Sequence, residues 1–464
     1  MRFGSRLALF LGLALVATVP GMLVKAVAQE PVSRVEVTAE TGEPLPARVV
    51  VTRQGTPTPD LYVFFTDREG RCRLEGVPDG PATLEVNHGP EWAIQTLTVT
   101  LDGQSERALP VRLKRLYDLP AHGYYQGDSH MHSTFSDGKQ TPEEVAYHCR
   151  CEGLQWAFLT DHNGVQGHAA FQSQAAPGFL PLGGDEVTTA KGHILALGVT
   201  TRISPDVSHG ADDCRRIFRE IHDQGGVAIL AHPTAPFMGY RSWEVEGYDG
   251  LEILNGSLPP YGGMFDALQA RTRWHRLLSE GKRLPALGDS DNHDNTMGLV
   301  RDVLRDPQGA VKREPLLQVV WNMPDRDRLL IPWALKGVYP GIYRTCLKLP
   351  ELTQAAVLAA IKQGRGVVTN GPLLVATVNG TDPGSEIKGP SAQIRYEAVG
   401  NRGLDRLVVL ADGKQVQSVD LSGQETKSGE LSVDLGTAKW LALELYGKWP
   451  DFATTNAWYV APGQ

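Results

Sequence analysis

The sequence has few cysteines for its length. Five occur among 464 residues, and the odd number leaves at least one thiol without an intramolecular partner. Cys149 and Cys151 lie two apart in a predicted helix, where their side chains face different directions. No cysteine pair has the spacing of a zinc knuckle. This usage excludes a disulfide-stabilised scaffold. The cysteines are Cys72, Cys149, Cys151, Cys214 and Cys346.

The chain also lacks an excess of basic residues. Its 45 Lys and Arg are outnumbered by 53 Asp and Glu, which gives a formal net charge of −8. Because no basic surplus is available to neutralise phosphates, nucleic acid is not expected as the main partner. The length leaves room for two or three domains with substantial cores.

Long apolar runs are confined to the N-terminus. Arg2 and Arg6 precede an apolar stretch over residues 7–19, and small residues follow at Ala26-Val27-Ala28, a pattern typical of an export signal. An uncleaved membrane anchor is the alternative, but a Pro-Gly pair breaks the uncharged run and favours cleavage. We therefore expect residues 1–28 to be a signal peptide and the protein to be secreted or periplasmic. No later segment is long and apolar enough to span a bilayer.

Two stretches alternate apolar and polar residues in short runs broken by Gly, Pro and Asp. These runs predict a β-sandwich over residues 29–117 and a second one over 369–464. In the first, GEPLPARVVV (42–51) and TDREGRCRLEGVPDGPATLEV (66–86) resemble the carboxypeptidase-regulatory-like β domain. The resemblance implies a packing or adhesion unit, and hence an association with the cell envelope.

Between the two β stretches, residues 118–368 alternate apolar strands with helical patterns. Thr141-Pro142-Glu143-Glu144 is a capping box with proline at the first helical position, so it predicts the start of a helix. Three more helices are expected, each followed by glycine. Alternation of this kind predicts βα units and a parallel sheet. The segment 301–350 mixes proline, charge and aromatics, and is interpreted as a rim insertion. The further helices are predicted over 211–224, 264–280 and 352–363.

Metal-binding side chains lie in or just after six short apolar or turn segments of this central region. An apolar strand that finishes in His, Asp or Glu is how a parallel barrel brings ligands to one rim. Residues two apart on a strand face the same side, so His130 and His132 can bind one ion. The candidate metal ligands are His130, His132, Asp137, His162, Glu186, His193, His232, Asp291 and His293.

The mixture of imidazole and carboxylate in this set favours particular metals. It suits Zn²⁺, Fe²⁺ or Mn²⁺, whereas an all-oxygen set would suit Mg²⁺ or Ca²⁺. Nine ligands exceed the needs of one ion, so two or three divalent metal ions are expected, with Glu186 able to bridge two of them. Water activated by such ions becomes hydroxide and attacks an ester, amide or phosphoryl centre.

Each piece also has an ordinary structural interpretation. A single His-x-His is often incidental, a Thr-Asp-His can be a turn that caps a helix, and Ala-His-Pro can hold a buried histidine. The joint occurrence of all pieces in one order favours a metal site. Within DSDNHDN (289–295), Asp289 and Asp294 are alternatives to Asp291.

Taken together, the motifs resemble those of the polymerase and histidinol phosphatase (PHP) superfamily. The matching pieces include HMH (130–132), TDH (160–162), AHP (231–233) and SDNH (290–293). DEVTT, GHILALG and DGLEILNG, with the flanking β stretches, make the chain most similar to the carbaryl-hydrolase-like (CehA/McbA) branch. The resemblance implies an α/β fold, a distorted (β/α)7 TIM-like barrel, flanked here by an N-terminal and a C-terminal β-sandwich.

The resemblance also implies how the ligands divide. His130, His132, Glu186 and Asp291 would bind the first ion. Glu186, His193 and His232 would bind the second, and Asp137, His162 and His293 the third. Asp161 and Asp128 would orient imidazole N–H groups from outside the ligand set. Glu186, Asp291, His232 and Asp137 form the expected catalytic set.

The sequence therefore predicts an exported metal-dependent hydrolase that uses metal-activated hydroxide on a small-molecule substrate. Relatives act on phosphoesters or on carboxyl or carbamate esters with much the same metals, so the site alone leaves the ester type open. A function of another class is the alternative: a non-catalytic envelope or glycan-binding protein with a metal-stabilised barrel. The flanking β stretches motivate that alternative, and the complete ligand set argues against it.

Overall fold

The computed structural model describes seven parts of the chain. The predicted signal peptide and residues 301–338 of the predicted rim insertion lie outside them. The described residues are 30–55, 60–205, 211–235, 238–256, 263–294, 339–448 and 450–461.

Seven strands form the N-terminal β module. They build a sheet of order β4-β1-β7 and a second sheet of order β3-β2-β5-β6. In β1 the burial alternates residue by residue, so Val35 and Val37 face the core that also contains Val49 and Leu84. The strands are β1 (Arg34–Ala39), β2 (Arg48–Arg53), β3 (Asp60–Phe65), β4 (Arg71–Arg73), β5 (Gly80–Asn87), β6 (Gln95–Leu101) and β7 (Ala108–Leu113).

Buried polar contacts join the N-terminal β module to the central region. The Arg48 guanidinium pairs with the Glu152 carboxylate just after the first helix, and both side chains are buried. Nearby, Nδ1 of His88 lies 3.1 Å from the carbonyl oxygen of Cys151. The module is therefore attached at the end of that helix.

The central region follows a short 3-10 turn (Pro120–His122) and supplies the first part of a long sheet. Its strands are β8 (Tyr124–Asp128), β9 (Trp156–Leu159), β10 (Leu180–Thr189), β11 (Gly192–Leu197), β12 (Val227–Leu230), β13 (Gly250–Asn255), β14 (Ala286–Asp289) and β15 (Arg344–Lys348). Its helices are α1 (Pro142–Cys151), α2 (His168–Gln172), α3 (Ala211–Asp223), α4 (Gly263–Ser279) and α5 (Gln354–Gln363).

The predicted start of α1 is confirmed. The Thr141 side chain accepts from the N–H of Glu144, whose carboxylate accepts in return from the N–H of Thr141. Gly153 follows the helix with a φ of +70°, a conformation that costs glycine nothing. The other three predicted helices correspond to α3, α4 and α5, and α5 ends on Gly364 in the left-handed conformation.

The strand directions in the central sheet differ from those of a regular parallel barrel. β8, β9 and β10 are parallel, as are β12, β13 and β14, but β11 is antiparallel to both neighbours and β15 is antiparallel to β8. The sheet nevertheless curls until β14 lies beside β15 and β8. The N–H of Gly288 in β14 donates to Oγ1 of Thr345 in β15. Just beyond β8 and β14, Met131 and Asn292 form an isolated β-bridge. The observed class is a mixed α/β protein rich in strands; the (β/α)7 barrel stays a prediction.

The predicted rim insertion is wrong for the last part of its range. Residues Arg344–Lys348 are strand β15 and are almost entirely buried. They pair with β8 on one side and with β16 (Gly366–Thr369) on the other. The proline and charged residues around this short run are typical of a loop, so the sequence pattern did not predict a central strand here.

The C-terminal strands continue the long sheet and add a second one. β16 pairs with β24, so the sheet runs on as β15-β16-β24-β23-β20-β21, while β17, β19 and β22 form a separate sheet over a shared apolar core. The strands are β16 (Gly366–Thr369), β17 (Leu373–Val378), β18 (Glu386–Ile387), β19 (Ser391–Val399), β20 (Leu404–Ala411), β21 (Lys414–Asp420), β22 (Thr426–Asp434), β23 (Trp440–Gly447), β24 (Phe452–Thr455) and β25 (Trp458–Val460).

All five cysteines lie in the described residues, and none forms a disulfide. The spacing predicts this only for a bridge between Cys149 and Cys151. Among the helices that the structure describes, none combines the length and the apolar character needed to cross a bilayer.

Candidate metal centre

The nine predicted ligands come from strand ends and strand interiors of the central region. His130 and His132 follow β8, His162 follows β9, His232 follows β12, and Asp291 and His293 follow β14. Glu186 lies within β10, His193 within β11, and Asp137 in the loop before α1. The structure brings all nine together, and we call them the nine-residue cluster. Its members belong to four overlapping sets, and within each set the ligand atoms lie within 4.8 Å of one another.

Glu186 lies at the middle of the cluster and is fully buried. Its Oε1 lies 2.8 Å from Nδ1 of His193 and 3.1 Å from Nε2 of His232. Its Oε2 lies near three further imidazoles: His162 Nδ1 at 2.9 Å, His130 Nε2 at 3.2 Å and His132 Nε2 at 3.3 Å. One carboxylate therefore contacts five imidazoles.

Asp291 is the second buried carboxylate of the cluster. Its Oδ1 lies 3.1 Å from Nε2 of His132 and 3.3 Å from Nε2 of His130. The alternative, Asp289, accepts instead from the N–H and the hydroxyl of Ser129, at 2.8 and 2.6 Å. The geometry favours Asp291 as the ligand.

Asp137 marks the solvent-facing edge of the cluster. Its side chain is 58% exposed, and its Oδ1 lies 3.3 Å from Nε2 of His293 while its Oδ2 lies 3.7 Å from Nε2 of His162. His132 reaches the same group through Nδ1, 3.9 Å from Asp137. The edge is therefore open to a ligand from solvent, whereas Glu186 and Asp291 are closed off.

The observed sets differ in detail from the predicted division among three ions. His132 belongs to the set formed by Asp137, His162 and His293, and also to a set that contains Glu186. His162 lies with Glu186 and His193, and His232 with His130 and Asp291. Because the sets share members, the ligand atoms form one continuous cluster.

The atoms left without hydrogen bonds support a cation in this cluster. Nε2 of His130 and Oε2 of Glu186 are buried and make no hydrogen bond, although they lie 3.2 Å apart. Burying polar atoms in this way is costly unless another group satisfies them. Imidazole nitrogen with carboxylate oxygen is the donor set of Zn²⁺, Mn²⁺ or Fe²⁺. The residues fit divalent metal ions.

Without such ions, carboxylates and imidazoles shift one another's ionisation. Burial by itself lowers the pKa of His232, but the Glu186 carboxylate raises that pKa to about 9. Burial likewise opposes the charged form of His293, and Asp137 raises its pKa to about 9. Burial disfavours ionised Glu186, yet the imidazoles of His130 and His193 hold its pKa well below the usual value. The cluster therefore binds protons where it would bind metal.

Two members adopt a backbone conformation that is rare outside glycine. His232 has a φ of +28° and Asp291 a φ of +49°. Each is the second residue after the end of a strand, and the unusual turn directs its side chain into the cluster. Such conformations cost about 1–3 kcal/mol and concentrate at functional sites.

The predicted roles of Asp128 and Asp161 as imidazole orienters are wrong. Asp128 accepts from backbone N–H groups, among them those of His130 and Ser290. Asp161 accepts from Ser133 and from the hydroxyl of Ser136. Both carboxylates bind backbone N–H groups and hydroxyls of the loops that carry the ligands, and neither orients an imidazole ring directly.

Sequence reasoning missed Glu252. It is fully buried in β13, and its Oε1 lies 2.7 Å from Nδ1 of His130. It lies inside an apolar strand with no second ligand at a telling spacing. Two signals pointed to it: a charged residue in the otherwise uncharged run LEILNG, and the presence of that run in the DGLEILNG motif of the resemblance.

Fold and site define a mixed α/β protein with a candidate metal centre. Solved structures with similarity include a two-domain protein from Bacteroides vulgatus that contains a predicted PHP-like metal-dependent phosphoesterase. It is 16% identical, the match covers 73% of this chain and 96% of that one, and the TM-score is 0.40. An amidohydrolase from Chromobacterium violaceum is 22% identical, with coverage of 36% and 87% and a TM-score of 0.29.

A third structure, from Bifidobacterium adolescentis, is assigned as a metal-dependent phosphoesterase. It is 19% identical, with coverage of 36% of this chain and 87% of that one and a TM-score of 0.27. No family model matches the sequence, and no curated protein matches it. With TM-scores this low, the functional assignment depends on the cluster itself.

Proposed function

We propose that the chain is a metal-dependent hydrolase of ester-type bonds, of the PHP superfamily and its carbaryl-hydrolase-like branch. It acts on a small-molecule phosphoester or on a carboxyl or carbamate ester, as a secreted or periplasmic protein. The observation that supports the hydrolase is the convergence of five imidazoles on the single carboxylate of Glu186. A buried arrangement of that kind leaves nitrogen and oxygen lone pairs without hydrogen bonds, and divalent ions would bind them.

The residues of the chain have distinct parts in this proposal. Glu186 and Asp291 would hold the ions from the buried side. Glu186 offers its two oxygens to different imidazoles, whereas Oδ1 of Asp291 lies near both His130 and His132. Asp137, His162 and His293 would complete the exposed edge, where a substrate arrives from solvent. Bound divalent ions supply Lewis acidity and lower the pKa of water, which is the chemistry that ester hydrolysis needs.

The three ester types share an electrophilic centre bonded to an oxygen leaving group. A Lewis acid polarises each of them, so the same cluster can serve each. The decisive experiment therefore compares an aryl phosphate, an aryl carboxyl ester and an aryl carbamate with one preparation of the mature chain. Bound metal is measured by elemental analysis before and after treatment with a chelator.

Two variants sharpen the test. Glu186→Gln keeps the size of the side chain but removes the charge that five imidazoles share. Glu430→Gln makes the same change at a carboxylate that is 72% exposed on β22. We expect metal-dependent turnover of at least one ester by the wild type and by Glu430→Gln. Loss of metal and of turnover is expected in Glu186→Gln, by about 10³-fold.

Turnover that survives complete removal of metal would overturn the proposal. So would a metal-loaded wild type that is inert on all three ester types. In that second case, retention on a column of cell-envelope glycan would favour a binding protein with a metal-stabilised core.

A further inference from the structure

Glu252 is a fully buried carboxylate that contacts two members of the nine-residue cluster. Its Oε1 lies 2.7 Å from Nδ1 of His130. Its Oε2 accepts from the backbone N–H of His232 at 2.6 Å and from Nδ2 of Asn255 at 2.6 Å. One side chain thus holds the ring of one candidate ligand and the backbone of another.

A strand irregularity places these groups together. In a regular strand, residues three apart face opposite sides, so Glu252 and Asn255 would not meet. The pairing of β13 with β14 shifts register between Glu252 and Leu254. Such a bulge re-aims side chains, and it turns Asn255 onto the side where Glu252 lies.

We infer that Glu252 is a positioning residue that fixes the Nδ1–H form of His130 for metal binding. An ionised carboxylate only accepts hydrogen bonds, so the hydrogen of a neutral His130 ring lies on Nδ1. Nε2 then keeps its lone pair and points at the cluster, 3.2 Å from Glu186 and 3.3 Å from Asp291. The inference rests on the proposed function for its catalytic consequence, but not for its effect on metal binding.

The same carboxylate couples two parts of the cluster. His232 carries the rare positive φ, and its N–H is held by Glu252 while its Nε2 lies 3.1 Å from Glu186. Removing Glu252 would release the ring of His130 and the turn at His232 together. We therefore expect its loss to weaken metal binding at more than one place in the cluster.

Glutamine at position 252 has the right size but the wrong hydrogen-bonding groups. If its amide oxygen faces His130, its NH₂ group opposes the N–H of His232 and the NH₂ of Asn255. If its NH₂ group faces His130, the ring must place its hydrogen on Nε2, and that nitrogen can no longer bind metal. Both orientations weaken the centre.

The experiment measures metal affinity of Glu252→Gln by competition with a chromophoric chelator, using Zn²⁺ and Mn²⁺. Loss of a partner that orients a ligand histidine lowers metal affinity by about 10- to 100-fold, and we expect that range. Absorption of the Co²⁺-loaded protein should also change, because the ligand field at His130 is altered. Glu252→Asp keeps the charge with a shorter reach and should fall between Gln and wild type.

A matched control separates positioning from general destabilisation. Glu152→Gln also replaces a fully buried carboxylate, one that pairs with Arg48 instead of an imidazole. It should lower thermal stability and leave metal affinity and the Co²⁺ spectrum unchanged. If Glu252→Gln does not fold, Glu252→Asp carries the same comparison.

A double-mutant cycle tests whether Glu252 acts through His130. The losses in metal affinity from Glu252→Gln and His130→Ala should be clearly less than additive, because the second change removes the ring that the first one misplaces. Additive losses, or wild-type affinity and spectrum in Glu252→Gln, would overturn the inference.

The outcome can be told apart from failure of the proposed function. A wild type that binds metal but hydrolyses no ester refutes the hydrolase and leaves the affinity comparison intact. A wild type that binds metal and turns over an ester, with Glu252→Gln unchanged, refutes only the role of Glu252.

Discussion

Gly138 packs directly against the backbone of His132, so closely that a Cβ at position 138 would lie 2.6 Å from the carbonyl carbon and oxygen of His132. The contact closes the loop in which Asp137 approaches His162 and His293. It links a residue without a side chain to the placement of the exposed carboxylate of the cluster.

Gly138→Ala is expected to remove the exposed part of the cluster while the buried part stays. The added methyl group meets backbone atoms that cannot rotate away, so the loop must open and carry Asp137 outward. Elemental analysis should find about one ion fewer per chain than in the wild type. Gly103→Ala is the control, since a Cβ there would meet one side-chain atom at 3.7 Å. Unchanged metal content in Gly138→Ala would contradict the prediction.

Asp137→Asn should have a milder effect than Glu186→Gln. Asp137 is more than half exposed and serves one set of ligand atoms, whereas Glu186 is buried and serves two. We expect a loss of about 10- to 100-fold in kcat/KM for the ester that the wild type hydrolyses, against about 10³-fold for Glu186→Gln. Steady-state kinetics at saturating metal measure both. Equal losses would show that the cluster works as one unit.

Metal binding is expected to release protons and to strengthen as pH rises. In the metal-free protein the pKa values of His232 and His293 are about 9, so both imidazoles are protonated at pH 7. A divalent ion must displace these protons, and lowering the pH favours the protonated form. Affinity should therefore increase from pH 6 to about pH 9. Calorimetry in two buffers of different ionisation enthalpy counts the protons; an affinity that is flat over this range would contradict the prediction.

His88 is expected to make the attachment of the N-terminal β module sensitive to acid. Burial lowers the pKa of His88 from 6.5 to about 4. Between these values the unfolded chain binds the proton and the folded chain does not, so stability falls as pH falls. From pH 7 to pH 5 the loss is about 2 kcal/mol.

His88→Gln should reduce the fall in melting temperature between pH 7 and pH 5. Glutamine does not titrate, and its amide can still donate to the carbonyl of Cys151. The comparison is made as a difference between the two pH values, because other groups contribute equally in both proteins. An undiminished fall in the variant would show that His88 does not contribute.

Local patterns of the chain predicted several features well. The start of α1 follows from four consecutive residues, because a capping box is satisfied within one turn of helix. The absence of a bridge between Cys149 and Cys151 follows from helix geometry in the same way. Patterns that depend on distant partners were harder. Strand β15 was concealed because its identity comes from pairing with β8 and β16, more than 200 residues and about 20 residues away.

By itself the sequence determined which side chains can bind metal, since an imidazole or carboxylate next to a short apolar run can be recognised from the residue and its immediate neighbours. Their role as ligands stays a prediction. Only the tertiary structure decided that five imidazoles meet at Glu186, that Asp291 faces them while Asp289 turns to Ser129, and that Glu252 holds His130. These choices depend on how strands curl and where a bulge falls. Except for the neighbouring pair Glu186 and His193, the contacts join residues that lie far apart in the chain, and no local spacing encodes them.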